Sequence, residues 1–197
     1  MSIDFEAVKK EIGIYEFNRI DLLESALTHP SVLNEIALNQ KQKILKEREY
    51  RRLAILGDAI FNAVVVDYLY HELPDADEQE LSKLKSSIIT REQAGEFAKE
   101  LNLKQLCLLS KGERQKDESE QTSMFGEMFE TLLGAIYLEF ERDYSKTKTW
   151  LLNRFFNELF EYVFDENETL VTTRDYLDMI GLNDFPDYGW CPGYDDD

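Results

Sequence analysis

Apolar residues recur every three or four positions along most of the chain, which is the spacing of a helix that is buried on one face. The alternation typical of a strand is nowhere clear, and no segment repeats at a fixed period. The pattern therefore predicts an all-α fold. The apolar rows lie at residues 5–12, 22–27, 53–70, 81–88, 94–101, 124–140 and 150–164, and a short helix is predicted at 172–180.

The segment from Leu53 to Tyr70 is the most apolar of these rows. Its exceptions are Gly57, Asp58, Asn62 and Asp67. A helix that is apolar on almost every side is expected to be buried on almost every side. Two arrangements satisfy this expectation. The helix is the central element of a monomer's core, or one of its faces contacts a second copy about a two-fold axis.

Acidic residues occur within two of the most apolar rows. Asp58 lies in the middle of the 53–70 helix, where an unpaired buried charge costs several kcal/mol or more. Glu127 and Glu130 are three residues apart in the 124–140 helix and therefore share a face. Acids that converge in this way suit a hard cation such as Mg²⁺ or Mn²⁺. Alternatively, Asp58 pairs with an arginine and the two glutamates face solvent, and the spacing leaves both arrangements open.

The charge of the chain is strongly negative and unevenly distributed. Forty acidic residues against 22 basic ones give a net charge of −18, which argues against a generic polyanion binder. Eleven acids and a single base follow residue 160, in a stretch that ends without periodicity. We expect a folded body over residues 1–164 and an acidic appendage over residues 165–197 that contains the short helix.

The cellular setting is predicted from what the sequence contains at its start and in its cysteines. The first residues carry acids where a signal peptide has a basic patch and an apolar run. The two cysteines, Cys107 and Cys191, are too far apart in sequence to indicate a disulfide framework or a zinc site. We therefore expect a soluble, cytoplasmic protein in a reducing compartment.

Five segments resemble the catalytic domain of the ribonuclease III family, in the family's order. Residues 52–59, Arg-Leu-Ala-Ile-Leu-Gly-Asp-Ala, are similar to the family signature, whose usual form is Glu-Arg-Leu-Glu-Phe-Leu-Gly-Asp. The other four are Ala-Leu-Thr-His-Pro-Ser within 22–31, Asp-Glu-Gln-Glu-Leu-Ser within 77–85, Lys-Gly-Glu at 111–113, and Glu-Met-Phe-Glu-Thr-Leu-Leu-Gly-Ala within 127–138. The resemblance covers roughly residues 5–160 and implies the family's helical bundle and its Mg²⁺-dependent hydrolysis of double-stranded RNA.

The resemblance also implies which residues form the metal site. Asp58 falls on the Asp of the signature, Glu130 on the Glu of the later helix, and Glu127 on a position that is usually Asp. These three are the expected catalytic residues and metal ligands, and Glu78 is a fourth candidate ligand. The signature Glu one turn before Asp58 is Ala54 in this chain, and alanine binds no metal.

Ala54 leaves two interpretations of the function. Shorter relatives, the mini-ribonuclease III proteins, also resemble the pattern Ala-x-x-Gly-Asp-Ala, so that Asp58, Glu127 and Glu130 with water hold one catalytic Mg²⁺, or Mn²⁺ in its place. Alternatively, the chain keeps the fold, has impaired catalysis, and binds RNA or a ribonucleoprotein partner.

The expected partners also follow from the resemblance. The family cleaves double-stranded or structured RNA as a homodimer, so we expect these two partners and neither DNA nor a membrane. Only 33 residues follow Phe164, so the usual double-stranded-RNA-binding domain is not expected, and the body must contact phosphates itself. A basic run suits this role, although it is equally typical of a solvated helix with ion pairs. The run consists of Lys41, Lys43, Lys46, Arg48, Arg51 and Arg52.

Overall fold

Helices form nearly all of the regular structure in the computed structural model, which describes residues 2–156, 162–164 and 170–172. The chain divides into two units, residues 1–157 and 158–197. A 3₁₀ turn covers Pro30–Asn34, and a π-helical turn over Leu152–Phe156 follows the last helix. The helices of the first unit are α1 (Phe5–Ile12), α2 (Ile20–Leu27), α3 (Gln40–Glu72), α4 (Glu78–Ile88), α5 (Arg91–Glu100), α6 (Leu103–Leu106), α7 (Lys111–Gln115), α8 (Glu118–Glu139) and α9 (Tyr144–Leu151). The predicted all-α class is confirmed.

Local capping chemistry sets the ends of several helices. Gly13 closes α1 in the left-handed conformation, with φ of +70°, and Asn102 ends the α5 region in the same conformation, as the sequence predicts. Asn39 begins α3 through a capping box in which its side chain and that of Gln42 each accept a backbone N–H. The cap explains why α3 starts well before Leu53: the basic run and the apolar row belong to one helix of 33 residues.

Residues 111–115 and 118–121 are helical, whereas the polar, highly charged sequence over 111–121 predicts a surface loop. The Ser110 hydroxyl accepts the N–H of Glu113 at 3.2 Å and starts α7, and the Asp117 carboxylate accepts the N–H of Glu120 at 2.9 Å and starts α8. Two caps seven residues apart thus convert a polar segment into two helix starts.

The second unit contains a pair of strands that the sequence pattern does not predict. β1 (Tyr162–Phe164) pairs antiparallel with β2 (Leu170–Thr172). The expected amphipathic helix over 150–164 therefore ends early, and the aromatic and β-branched residues at 162–164 favour a strand. The proposed boundary at 164/165 falls inside this unit. The short helix predicted at 172–180 lies outside the described residues except for Thr172, which belongs to β2.

Helix α8 is the centre of the first unit, where α2, α3 and α5 pack around it. Its inner residues have no exposed surface, and they are Met128, Phe129, Leu132, Leu133, Ala135 and Ile136. Phe129 meets Phe61 of α3, Phe97 of α5 and Phe155, with ring centroids 5.3 to 5.9 Å apart. This aromatic cluster joins three helices and the turn after α9 in one core.

Glycines allow α3 and α5 to approach the backbone of α8 closely. A Cβ atom on Gly57 would overlap the carbonyl oxygen of Glu130, and one on Gly134 would overlap the carbonyl oxygen of Leu53. On the other side, a Cβ on Gly126 would overlap the carbonyl oxygen of Arg91 at the start of α5. Only a residue without a side chain permits these contacts, so the glycines determine which polar residues of the three helices meet.

The composition of the 53–70 segment predicts that α3 is buried on almost every side, and the structure shows that this prediction is wrong. One face is open to solvent, where Ile55 is 74% exposed, Val66 46% and Tyr70 66%. Ala59 and Ala63 lie between them at helical spacing and are also exposed. The other helices cover only the opposite side of α3, and an apolar stripe remains uncovered within the described part of the chain.

Candidate active site

Asp58 and Glu130 come together where α3 crosses α8. Gly57, next to Asp58, lies against the backbone of Glu130. Glu130 is 9% exposed, whereas Asp58 is exposed and accepts a hydrogen bond from Asn62 Nδ2 at 3.1 Å. The expectation that Asp58 is buried is therefore wrong, because Asp58 lies toward the uncovered side of α3.

Glu130 is the perturbed acid of the site. Burial raises its pKa to about 7, the charge of Arg91 opposes this, and the negative charges of Asp58 and Glu127 add to it. A carboxyl group with this pKa is partly protonated at neutral pH. Burial thus outweighs the charge of Arg91, and a cation bound beside Glu130 would favour its ionised form.

Glu127 is held by arginines from two other helices. Arg51 of α3 donates a hydrogen bond from Nη1 to Glu127 Oε1, and Arg91 Nη1 lies 3.5 Å from Glu127 Oε2. The Glu127 side chain is 15% exposed, whereas both arginines are about half exposed. The arginine partner that the sequence offered for Asp58 therefore belongs to Glu127.

Tyr50 and His29 lie near Glu127, and no motif in the sequence marks them as part of the site. Tyr50 is buried, with its hydroxyl unpartnered among the described residues, and the His29 ring packs edge-on against it at 5.6 Å. Burial and the charge of Glu127 raise the pKa of Tyr50, and burial lowers the pKa of His29. Tyr50 is one turn before Ala54 on the signature helix and therefore on the same face, and this spacing is the feature of the sequence that could have identified it.

The four acids expected from the sequence do not form one cluster in the described part of the chain. Over the described residues, no three acidic, His or Cys side chains are grouped as metal ligands. Glu127 is paired with arginines, and Glu78 is exposed in the first turn of α4. Ala54 is nearly buried and offers no oxygen. Asp58 and Glu130 remain, one acid from each of the two helices, and the negative charge of Asp58 contributes to the raised pKa of Glu130.

The basic run forms the first turns of α3 and is partly engaged in contacts within the chain. Lys46 pairs with Glu24 at 2.7 Å, Arg52 with Glu49 at 3.0 Å, and Arg51 with Glu127. Lys43 donates to Asn34 at 3.3 Å. Lys41 and Arg48 are exposed. The run therefore combines a solvated helix surface with one residue, Arg51, that reaches the acids.

Comparisons with known proteins agree with the architecture. A family model described as Ribonuclease-III-like matches residues 19–159. Ribonuclease 3 of Enterococcus faecalis is 36% identical over 132 residues, which are 67% of this chain and 54% of that protein. Ribonuclease 3 of Borreliella afzelii is 36% identical over 124 residues, which are 63% of this chain and 48% of that protein. The match thus spans about half the length of these curated relatives.

Solved structures give the same result. The nuclease domain of ribonuclease III from Campylobacter jejuni has a TM-score of 0.64 and 30% identity, and the match covers 78% of this chain and 97% of that one. Its description concerns flexibility in the region of that protein that is involved in dimer formation. Dicer from Pichia stipitis shares the fold with a TM-score of 0.52 and 23% identity, over 73% of this chain and 56% of that one.

Proposed function

This chain belongs to the ribonuclease-III-like family, and from that premise we propose that it is a ribonuclease III-type endoribonuclease that cleaves double-stranded or structured RNA with Mg²⁺. The observation that carries the proposal is the close approach of α3 to α8 at Gly57 and Glu130, which puts exposed Asp58 near enough to raise the pKa of buried Glu130. Two acids on different core helices, one with a raised pKa, are typical of a catalytic site rather than of a structural ion pair.

The chain's own residues divide the work at this site. Asp58 and Glu130 would hold the cation. Mg²⁺, when bound, supplies an activated water and neutralises charge that develops on the phosphate. Arg51 and Arg91 are half exposed beside the acids, so their remaining N–H donors can hold an RNA phosphate. Glu127 fixes the direction of both guanidinium groups.

The basic first turns of α3 are the proposed path of the RNA backbone. Lys41 and Arg48 are exposed there, and the same helix continues through Arg51 to Asp58. A phosphate chain that follows α3 would therefore reach the acid pair. Because such contacts release counterions, affinity for duplex RNA is expected to fall steeply with salt.

A homodimer is part of the proposal. The uncovered stripe on α3, which includes Ile55, Val66 and Tyr70, is apolar and continuous at helical spacing. A self-complementary stripe of this kind suits a two-fold interface. Ile55 is one turn from Asp58 on this stripe, so two copies joined there would bring their acid pairs to one RNA surface.

A second candidate function is RNA binding without cleavage. The observation that favours it is the loss of acid around Glu127, where Ala54 provides no ligand and Arg51 and Arg91 provide positive charge. On this alternative, the site binds an RNA phosphate through its arginines and does not retain a divalent cation.

One experiment separates the two functions. The full chain is incubated with labelled duplex RNA, with and without Mg²⁺ or Mn²⁺, beside Asp58→Asn and Glu130→Gln, and binding is measured in parallel. The exposed Glu92→Gln on α5 is the matched control. Metal-dependent cleavage that both site variants reduce at least 100-fold, and that Glu92→Gln leaves unchanged, supports the nuclease. Salt-sensitive binding without cleavage under either metal rejects it in favour of the second function.

A further inference from the structure

We propose that Arg51 and Arg91 serve in place of a divalent cation at Glu127, so that the site takes a single metal ion per chain. The inference rests on the proposed function, because it assumes that Asp58 and Glu130 form the metal-binding pair. It assigns Glu127 a positioning role within an arginine–glutamate–arginine triad.

The geometry of the triad is the first support. Both oxygens of the Glu127 carboxylate face a guanidinium group, Oε1 that of Arg51 and Oε2 that of Arg91. The two arginines come from α3 and α5, which pack against α8 from different sides. The backbone of Arg91 is held against α8 by the close approach at Gly126. For Glu127 to bind a cation it would have to leave two ion pairs that the helix packing brings to it.

The sequence provides an independent charge argument. The usual signature quoted above, aligned on Asp58, has Glu at the positions of Arg51 and Ala54. Two acids are thus replaced by one base and one neutral residue. A site with fewer acids needs fewer cations, and the guanidinium of Arg51 supplies positive charge where acid has been lost. Arg51 and Ala54 thus both reduce the negative charge of one site.

Burial explains why this compensation is needed. The Glu127 side chain is 15% exposed, and a carboxylate at that depth is costly unless it is paired. With a guanidinium group beside each oxygen, the Glu127 charge is paired without metal. Glu130, three residues along α8 and 9% exposed, has no ion pair of this kind among the described residues. The two glutamates of one helix face thus have different roles.

The test is the number of Mn²⁺ ions bound per chain, measured by calorimetry and by the electron paramagnetic resonance of free Mn²⁺. The variants are Arg51→Glu alone and Arg51→Glu with Ala54→Glu, which restore acid to the signature. Arg154→Gln is the matched control. Arg154 lies away from the site, and its Nε is 3.9 Å from Glu100 Oε1 in an ion pair. Thermal unfolding confirms that each variant is folded. The single variant, at a half-exposed position, keeps the test decisive if the substitution Ala54→Glu prevents folding.

We expect one Mn²⁺ per chain for the wild type and for Arg154→Gln, and two for the double variant. The single variant is expected to bind Mn²⁺ at least tenfold more tightly than the wild type. Two ions in the wild type, none in the wild type, or unchanged uptake in both Arg51 variants would overturn the inference. One bound ion without RNA cleavage would reject the proposed nuclease function and support the inference. RNA cleavage with two bound ions would support the nuclease function and reject the inference.

Discussion

Three acids within one small region are compensated in three different ways. Glu127 is paired with two arginines, Asp58 faces solvent with Asn62 beside it, and Glu130 is buried so that its pKa is raised despite the charge of Arg91. The protonation and pairing of each acid therefore depend on the residues around its carboxylate as well as on the carboxylate itself. The pKa of Glu130 is the most accessible measure of that difference.

Replacing Glu130 by glutamine tests the cost of its ionisation. The fold raises the pKa of Glu130 from 4.5 to about 7, so it favours the protonated acid. The stability this provides is complete below pH 4.5 and is lost as the pH rises toward 7. Glutamine resembles the neutral form. We expect Glu130→Gln to raise the free energy of unfolding at pH 8 by up to about 3 kcal/mol without metal, and to change it little at pH 4.5.

Urea unfolding in the presence of a chelator, at both pH values, measures this difference. The same change at pH 4.5 and pH 8 would mean that the ionisation of Glu130 does not contribute to it. The opposite sign at pH 8 would mean that the ionised form is favoured by the fold. Glu92→Gln, on the exposed side of α5, controls for the loss of one negative charge.

Helix packing, rather than helix formation, controls the next scale. The helices of the first unit have caps and apolar rows that act over a few residues, but their crossings depend on Gly57, Gly126 and Gly134. Each of these glycines places a backbone carbonyl of one helix against the backbone of another. The site exists because the α3–α8 and α5–α8 approaches are close at the level of the acids.

Substituting Gly57 by alanine tests the α3–α8 crossing. The added methyl group would overlap the carbonyl of Glu130, which is backbone and cannot rotate away. We expect a loss of about 3 kcal/mol or more in the free energy of unfolding, since overpacking at backbone contact forces helices apart. Gly112→Ala in α7, where the nearest atom is 4.0 Å away, is the control and should be neutral or stabilising by up to about 1 kcal/mol. Equal effects of the two substitutions in denaturant titrations would show that the crossing is not tight.

A polar contact between α3 and α9 gives a second prediction at this scale. Asp67 accepts hydrogen bonds from Lys148 Nζ at 2.7 Å and from the Tyr144 hydroxyl at 3.2 Å, and the Lys148 bond is the main cause of its lowered pKa. Because the folded pKa is below the unfolded 3.8, this contribution is present above pH 3.8 and is lost as the pH falls further. Asp67→Asn should lower the free energy of unfolding at pH 7 by about 1 kcal/mol. The effect of Asp67→Asn on the free energy of unfolding should be smaller at pH 3. The control, Asp75→Asn at an exposed residue, should be neutral at both pH values. An undiminished effect of Asp67→Asn at pH 3 would exclude the ionic contribution.

At the scale of the whole molecule, α3 has a double character. An 18-residue window of this helix has a mean hydropathy of 1.5, so by length and composition it is apolar enough to cross a membrane. The core helix of a soluble protein meets the same criterion, and one side of α3 does pack against α8. The other side carries the uncovered stripe. An exposed apolar surface of this kind indicates an interaction with an apolar partner. The net charge of −18 opposes nonspecific association, so the partner is expected to be specific.

Replacing Val66 by aspartate tests whether that partner is a second copy. Val66 is 46% exposed in the middle of the stripe, so a charge there should not disturb the monomer's core. We expect the wild type to have the mass of a dimer in light scattering after size exclusion, and Val66→Asp to shift it to a monomer with unchanged helical content. Tyr15→Asp, at a residue that is 72% exposed outside the stripe, is the control. A wild-type monomer, or a variant that remains dimeric, would reject the two-fold interface.

The all-α class, most helix positions and the family were predictable from the sequence. The apolar rows, the Gly13 and Asn102 stops and the ordered motifs are properties of neighbouring residues, and they correctly placed acids on α3 and α8. Residues 111–121 and 150–164 were harder, because caps and strand pairing outweighed charge and amphipathic spacing there. The sequence shows that Arg51 replaces a Glu of the usual signature, but it does not show that Arg51 pairs with Glu127.

Periodicity along the chain determined that α3 is a helix, and with it the chemistry of the side chains that it carries. The tertiary structure alone decided that one face of this helix stays uncovered, that Asp58 is exposed, and that Arg51 and Arg91 meet Glu127 rather than Asp58. The physical reason is range. Helix formation depends on residues within one or two turns, whereas Arg51 and Glu127 are 76 positions apart and meet only because glycines let their helices pack backbone to backbone.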